Sequence, residues 1–517
     1  MDRLRTKQPT PGVDSQLEFA PIPTVQDATP VLEKPWYRQS HLVRLNLLLT
    51  IPLLTSYLVG FDGSMLNGIQ TVPVWQSDMG YPSGGLLGLV TTAQTIGSAA
   101  LLPVGPYVAD RFGRRLPMVI GSVIIILASG LQGGANGIAM FIVSRVVLGM
   151  GGAFIATAAA PLVAELAYPS HRGIITAIYN TSWYLGSIVA AWSTYGTFKM
   201  PSSWSWRIPS LLQALPSIIQ LALIYLVPES PRWLVANNRR AEAERILSRY
   251  HAGSDVPNEL VRIEMEEIAQ ALEDEKSQQT ASYLHFFRTR ANRHRLLICV
   301  SLGFIIQWCG NGLVSYYLVP VLNNIGITDP EIQNIINGVL QIFNYLTAIV
   351  AACFVDRVGR RSLFLISTAG VTISFVVWTA ISAVNDQQNQ QNKGLGIGVV
   401  VIIFIFFFFY NIAMNPIPMA YLLEILPFTL RAKGITLFNL AQYGSSIFNG
   451  FANPVALEGI GWRYYIVFTC LAAIWFVFIW FVFPETKGMS LEEVAVVFDK
   501  RPLGGEDGEG EGKMEMA

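Results

Sequence analysis

Long apolar segments alternate with short polar ones along most of this chain, and they fall into two sets of six. The first set covers about 45–66, 86–109, 116–134, 139–161, 174–196 and 208–227, and the second about 296–322, 335–355, 362–384, 395–422, 433–455 and 464–483. An α-helix needs roughly 20 residues to cross the hydrocarbon core of a bilayer. The pattern therefore predicts an all-α membrane protein with twelve transmembrane helices in two six-helix halves.

A polar, charge-rich interval separates the two sets. Within it, the apolar residues Val261, Ile263, Met265, Ile268 and Leu272 alternate with charged ones, which indicates an amphipathic helix. We predict five regions: a cytoplasmic N-terminal tail (1–44), an N-terminal half (45–227), a cytoplasmic helical linker (228–295), a C-terminal half (296–483) and a cytoplasmic C-terminal tail (484–517).

Composition and charge support membrane burial. Only 14% of the 517 residues are charged and the mean hydropathy is +0.43, whereas soluble domains carry roughly 25% charged residues. The 35 basic residues balance the 35 acidic ones, so no overall field favours nucleic acid as a partner. Basic residues concentrate in the tails, the linker and four short loops, which puts both termini in the cytoplasm.

Three motifs of the first half return in the second half in the same order. Asp110–Arg115 returns as Asp356–Arg361, Glu165 with Arg172 as Glu424 with Arg431, and Pro228-Glu-Ser as Pro484-Glu-Thr, at offsets of 246, 259 and 256 residues. Such a parallel repeat is typical of transporters whose substrate site lies between two halves.

Charged residues recur at the ends of these segments. They are Arg111, Glu165, Arg172, Glu229, Arg357, Glu424, Arg431 and Glu485. Pairing across the halves would hold one end of the bundle shut, and separation would open it, so we interpret the set as a cytoplasmic gate. The alternative is that the charges only orient the chain in the membrane.

Two charged residues lie inside apolar segments: Asp62 in the first and Arg145 in the fourth. A lone ionised group at that depth costs at least about 2.5 kcal/mol, so each is expected to have a partner or a hydrated cavity.

Amide and aromatic side chains inside the segments are candidate ligands for a hydroxylated substrate. Amides donate and accept hydrogen bonds, as hydroxyls do, and aromatic faces pack against the C–H face of a sugar ring. The candidates are Asn180, Gln307, Asn311, Tyr316, Tyr317, Gln341, Tyr410, Asn411, Gln442 and Tyr443. Interhelical hydrogen bonding is the alternative for the amides, and it is at least as good an explanation for Asn344 and Asn449.

Five motifs together resemble the signature set of the sugar porter family of the major facilitator superfamily. They are Asp110–Arg115, Arg145-x-x-x-Gly149, Pro161-x-x-x-Glu165, Pro228–Leu234 and Pro484–Gly488, and the resemblance extends from about Leu45 to Glu493. It implies the major facilitator fold and transport by alternating access, and we expect a monomer in the plasma membrane. It also implies that Asp62 and Arg145 contact each other, since proton-coupled members carry an acid and an arginine at these positions. A carboxylate that exchanges Arg145 for a proton would couple proton movement to conformational change.

Departures from the family pattern bear on the substrate. Ile306 stands where a glutamine is usual, Gly312 where an asparagine is usual, and Met419 where a tryptophan is usual. The run from Gln307 to Tyr317 resembles fungal lactose and cellodextrin permeases, and the smaller side chains leave room for a second ring. We predict proton-coupled uptake of a disaccharide such as lactose or cellobiose. A facilitative uniporter, a transporter of another polyol-like metabolite and a non-transporting sugar sensor are the alternatives.

Other chemistry finds no support in the sequence. The chain carries no phosphate-binding loop and no Ser/His/Asp or His/Glu constellation. We therefore expect neither an enzyme nor an ATP-driven pump, and we expect no cofactor and no metal.

Overall fold

A computed structural model describes residues 35–254, 256–278, 282–388, 392–489 and 491–499. Most of the two predicted tails (1–34 and 500–517) lies outside the described residues. Within the described ranges the regular structure is helical, and the helices follow the predicted order of six, a linker and six more.

The N-terminal half contains nine helices. They are α1 (Ser40–Gln70), α2 (Pro73–Asp78), α3 (Gly84–Leu101), α4 (Val104–Phe112), α5 (Arg115–Gly133), α6 (Ile138–Leu166), α7 (Arg172–Thr197), α8 (Trp204–Leu212) and α9 (Ala214–Leu223). The linker contains α10 (Pro231–Ala236), α11 (Arg240–Leu247), a π-helical turn (Ser248–Ala252), α12 (Glu259–Gln278) and α13 (His285–Arg288).

The C-terminal half repeats this arrangement. It contains α14 (Arg290–Trp308), α15 (Asn311–Asn324), α16 (Pro330–Val358), α17 (Arg360–Gln387), α18 (Lys393–Ala413), α19 (Ile417–Ile425), α20 (Phe428–Ile460) and α21 (Tyr464–Val482), and α22 (Leu491–Asp499) follows it.

Twelve spans account for these helices. Nine stretches of the described residues are long and apolar enough to cross a membrane, and the pair α3–α4, bent by 49°, makes a tenth. One of the nine, Thr429–Val482, contains both α20 and α21. The 26-residue α7 is also long enough to cross the membrane but is more polar than these stretches, and it completes the twelve. The predicted all-α fold of twelve transmembrane helices in two halves is confirmed.

Several spans are broken where the sequence forbids a regular helix. Between α14 and α15, Gly310 has φ 88°, and a Cβ there would lie 2.3 Å from a ring carbon of Phe375, so the position requires glycine. Pro416 separates α18 from α19, because proline lacks the N–H that a continuous helix needs. In membranes such breaks are tolerated where they are buried in protein or line a cavity.

The linker helices dock on the N-terminal half. Val261 and Met265 of α12 are buried against Leu247, so the amphipathic face predicted there is confirmed. The His251 ring lies between the Glu264 carboxylate (2.9 Å) and the carbonyl oxygen that ends α6 at 3.2 Å. We call this end of the bundle the linker end and the opposite one the far end.

Side-chain contacts between the halves are concentrated towards the far end. Asn67 donates to the Ser315 carbonyl (2.6 Å), Asn334 donates to the Thr71 hydroxyl (2.6 Å), and Lys199 pairs with Glu331 (2.8 Å). There α3 and α20 also approach closely, since a Cβ at Gly450 would lie 1.7 Å from Thr92 Cγ2. The halves therefore close on each other at the far end.

Candidate functional site: a buried ion pair beside a polar cleft

A buried ion pair joins three helices of the N-terminal half. Arg145 of α6 donates from Nη1 and Nη2 to the two carboxylate oxygens of Asp62 in α1, at 3.0 and 2.9 Å. Gln213, at the break between α8 and α9, donates to Asp62 Oδ1 at 2.9 Å. Both charged residues are 1% exposed. The contact implied by the family resemblance is present, and each charge has the partner that burial requires.

The same arginine also contacts α3. Arg145 Nε donates to the Val90 carbonyl (2.8 Å), and its Nη2 lies 3.5 Å from Gln94 Oε1. The guanidinium therefore ties α6 to α1 through Asp62 and to α3 through Val90 and Gln94.

A small polar cleft lies between the halves. Its walls are Thr91, Thr92 and Thr95 of α3 and, from the other half, Gln307, Gly312, Tyr316, Tyr317, Ser446, Asn449, Gly450 and Asn453. These residues are uncharged and supply hydroxyls, amides and aromatic rings. Such a lining fits a neutral, hydroxylated small molecule.

Three predicted ligands line this cleft: Gln307, Tyr316 and Tyr317. The Tyr317 hydroxyl donates to the Gly450 carbonyl (2.5 Å) and contacts the Thr91 hydroxyl on the opposite wall, so it closes the cleft towards the far end. The Tyr316 ring packs beside Gly63, the neighbour of Asp62. This ring connects the cleft with the ion-pair helix.

A second polar cluster joins the halves near the middle of the helices. Asn411 donates to Asn344 Oδ1 (3.0 Å) and to Thr347, and accepts from the Tyr184 hydroxyl of the other half at 3.0 Å. Asn415 donates to both Tyr184 and Asn411. The amides of Asn411 and Asn344 thus make interhelical hydrogen bonds in this structure.

The remaining predicted ligands are not among the residues that line the cleft. Three bond within their own half: Asn311 accepts from Ser315 (2.8 Å), Gln341 donates to Asn337 (3.2 Å), and Tyr410 donates to the Ile306 carbonyl (3.0 Å). Gln442 and Tyr443 are half-buried on α20, and Asn180 is exposed one turn from Tyr184. Met419 is 43% exposed and also lies outside the lining.

Sequence reasoning missed much of the wall that α3 contributes. Threonine in an apolar helix ordinarily bonds back to its own helix, as Thr92 does to the Gly88 carbonyl (2.6 Å). The signal available was the spacing of Thr91 and Thr95, which puts both hydroxyls on one face of α3. Gln213 was missed for a similar reason, because a single glutamine in an apolar segment does not indicate its partner.

An acidic cluster stands at the linker end of the N-terminal half. Glu229 accepts the backbone N–H groups of Arg114 (2.9 Å), Arg115 (3.3 Å) and Ser230 (2.9 Å) and so caps the start of α5. Glu165 accepts from the Ser230 hydroxyl (2.5 Å) and lies 3.5 Å from the Arg114 guanidinium. Two of the predicted gate acids therefore meet at one arginine.

The C-terminal half repeats the cluster. Glu485 accepts the N–H groups of Arg360 (2.8 Å), Thr486 (3.0 Å) and Ser362 (3.4 Å), while Glu424 accepts from Arg360 Nε (3.0 Å) and from the Thr486 hydroxyl (2.5 Å). Burial pushes the pKa of Glu485 upward, but the backbone donors together outweigh it and hold the pKa below its ordinary value.

In the ion pairs described, the arginines that hold the acids are Arg114 and Arg360, which were not among those predicted. The predicted Arg111, Arg172 and Arg357 are exposed. Arg431 donates to the Leu423 carbonyl at 3.1 Å. The ion pairs named here, Arg114–Glu165 and Arg360–Glu424, each lie within one half, not across the two.

Comparison with known proteins defines the class. Residues 48–498 match the family model described as "Sugar (and other) transporter", and the chain belongs to this family, the sugar porters of the major facilitator superfamily. Its fold and family are those of transporters rather than enzymes.

The curated relatives span most of the chain. It is 28% identical to the MFS-type transporter criB of Aspergillus cristatus (86% of this chain, 91% of the relative) and 27% identical to a high-affinity glucose transporter of Kluyveromyces lactis (88% and 85%). It is 25% identical to a quinate permease of Emericella nidulans (92% of each). Among solved structures, the inward open xylose transporter XylE from E. coli has a TM-score of 0.71 at 22% identity (88% of this chain, 99% of XylE), which shows a common fold.

Proposed function

We propose that this protein takes up a sugar together with a proton by alternating access, and that the sugar is a disaccharide such as lactose or cellobiose. The observation that carries the proposal is the connection between the Asp62–Arg145 pair and the cleft. Arg145 bonds to Val90 and Gln94 of α3, and the adjacent Thr91 and Thr95 line the cleft.

Coupling follows from this connection. Protonation of Asp62 removes the charge that holds the Arg145 guanidinium, so the buried arginine loses its counter-charge and the packing of α1 against α3 and α6 becomes unfavourable. Because α3 closes against α20 at Gly450, a shift of α3 changes the far-end contact between the halves. A proton would thereby bias one of two arrangements of the bundle.

The lining of the cleft supports a neutral substrate. Relatives of this chain are named glucose transporters and quinate permeases, and quinate carries a carboxylate. A carboxylate bound in a dry cleft needs a cation or several directed donors. The eleven lining residues include no Lys or Arg, which favours an uncharged sugar.

Replacement of family side chains supports a disaccharide over a hexose. Gly312 and Ile306 replace the asparagine and glutamine that sugar porters usually carry, and Gly312 lies in the cleft wall. The solved structures include an MFS proton:xylose symporter bound to 6-bromo-6-deoxy-D-glucose, at 22% identity and TM-score 0.70. We propose that the same fold here holds a longer substrate.

We propose the plasma membrane as the location, with the linker end in the cytoplasm and the protein a monomer. The acidic clusters at that end would form the cytoplasmic gate. Motif repetition supports this role, since Glu165 with Ser230 and Glu424 with Thr486 occupy equivalent places in the two halves.

Uptake by cells that lack their own sugar transporters tests the function. Labelled lactose, cellobiose and glucose are supplied with and without an uncoupler. We expect accumulation of a disaccharide above the external concentration and its loss with the uncoupler. Uptake that only equilibrates, unaffected by the uncoupler, would indicate a uniporter, and competition by quinate rather than by sugars would indicate another substrate.

A further inference from the structure

The cleft has a polar recess on the far-end side of Gln307, beside Gly312. A Cβ at Gly312 would lie 3.7 Å from Asn453 Nδ2 and 3.8 Å from Asn449 Nδ2. The space that a side chain at position 312 would occupy is therefore bordered by two amide groups. Both asparagines belong to α20 and are four residues apart, so they project from the same face of that helix.

Asn453 presents an unused hydrogen-bonding group to this recess. It is 0% exposed, and its Oδ1 accepts from the Tyr464 hydroxyl at 2.9 Å. The other end, Nδ2, has no hydrogen-bond partner. Buried polar groups are nearly always paired, and leaving one unpaired is unfavourable. A lone amide nitrogen aimed into a cleft therefore indicates a ligand that supplies an acceptor.

The neighbouring residues provide the rest of a binding site for hydroxyls. Asn449 is oriented by its bond to the Gln307 carbonyl (2.7 Å), which places it next to the ligand predicted from sequence. On the opposite wall of the cleft, α3 contributes Thr91, Thr92 and Thr95. The cleft is thus lined by polar, uncharged residues of both halves.

We propose that Asn453 and Asn449, made accessible by Gly312, form a subsite for the second sugar ring, on the far-end side of the ring that contacts Gln307. This inference rests on the proposed function and specifies which residues select a disaccharide. Asn453 donates to a ring hydroxyl there, and Gly312 provides the room.

Binding of cellobiose, lactose and glucose to the purified full-length transporter tests the subsite. Asn453→Ala should raise the Kd of the preferred disaccharide roughly tenfold, the effect of one buried hydrogen bond, and change the Kd of glucose less than about twofold. Asn385→Ala is the matched control, because Asn385 is a buried asparagine of the same half that bonds the Ile325 carbonyl away from the cleft. It should not separate the two sugars.

A second variant keeps the proposal testable should Asn453→Ala fail to fold. Gly312→Asn puts an amide into the recess, where it would contact Asn453 or Asn449, and should remove disaccharide binding while glucose still binds. Equal loss of both sugars in Asn453→Ala, or unchanged disaccharide binding in Gly312→Asn, would overturn the subsite alone. A wild-type protein that binds neither disaccharide would overturn the subsite together with the proposed substrate.

Discussion

Asp62→Asn is the substitution that bears most directly on proton coupling. The amide has the size of the carboxylate but carries no charge and cannot be the proton carrier. In the structure, Asp62 accepts two bonds from Arg145 and one from Gln213. The variant keeps one acceptor oxygen for these donors and replaces the other with an NH2 group that cannot accept. It leaves the guanidinium of Arg145, 1% exposed, without a counter-charge.

The expected cost follows from this burial. Removing one partner of a buried ion pair costs about 3–5 kcal/mol, because the remaining charge stays out of water. Replacing both partners by neutral groups is much less costly, so Asp62→Asn combined with Arg145→Gln should recover most of the lost thermal stability. Asp78→Asn is a matched control, since Asp78 accepts only from the Trp206 indole among the hydrogen bonds described, outside the ion pair.

Proteoliposomes separate coupling from binding. Counterflow exchange needs no proton movement, whereas accumulation driven by an imposed pH gradient does. We expect Asp62→Asn to lose accumulation and retain part of its exchange, and Asp78→Asn to retain both. An Asp62→Asn protein that still concentrates sugar would show that Asp62 is not the coupling acid.

Three further predictions concern the ends of the bundle. Arg114→Gln should slow exchange with little change in the Kd of the sugar, because it removes the ion pair with Glu165. Arg111→Gln, at an exposed site, is the control and should exchange sugar at the normal rate. A raised Kd with normal turnover in Arg114→Gln would contradict a gating role. The pKa of Glu485 is lowered in the folded protein, so its ionised carboxylate stabilises the fold. This stabilisation is fully present above the ordinary glutamate pKa of about 4.3 and is lost as pH falls through the lowered pKa. Glu485→Gln should therefore unfold at a lower temperature than wild type at pH 7, with a difference that vanishes in acid; a pH-independent difference would refute this. Gly450→Ala should slow transport without abolishing sugar binding, because the added Cβ would lie 1.7 Å from a threonine carbon of α3. Gly444→Ala is the control, since the space around Gly444 is open, and it should transport normally.

The fold could be predicted because apolar periodicity alone specifies which segments enter the membrane. Helix ends were less accurate: α1 begins at Ser40 and ends at Gln70, whereas the apolar segment covers 45–66. A helix continues past the hydrocarbon region into polar sequence, where hydropathy gives no signal. Gln387, three residues beyond the apolar segment 362–384, still belongs to α17 for the same reason.

The site was predictable only in part, because a side chain's chemistry does not reveal its partner. Gln307 and Tyr316 line the cleft as amide and aromatic residues were expected to, but Tyr410 donates to a backbone carbonyl instead. At the linker end, the charged residues were expected to pair across the two halves. Glu165 instead contacts Arg114, 51 residues earlier, because α5 starts beside the end of α6.

Sugar-dependent proton flux in proteoliposomes is the most direct test of the central claim. Wild-type protein is reconstituted without any ion gradient, and the disaccharide that it binds is added outside while a dye reports the internal pH. The account predicts internal acidification that depends on the sugar and is absent in Asp62→Asn. Sugar entry with no change in internal pH would contradict it and leave a facilitator in its place.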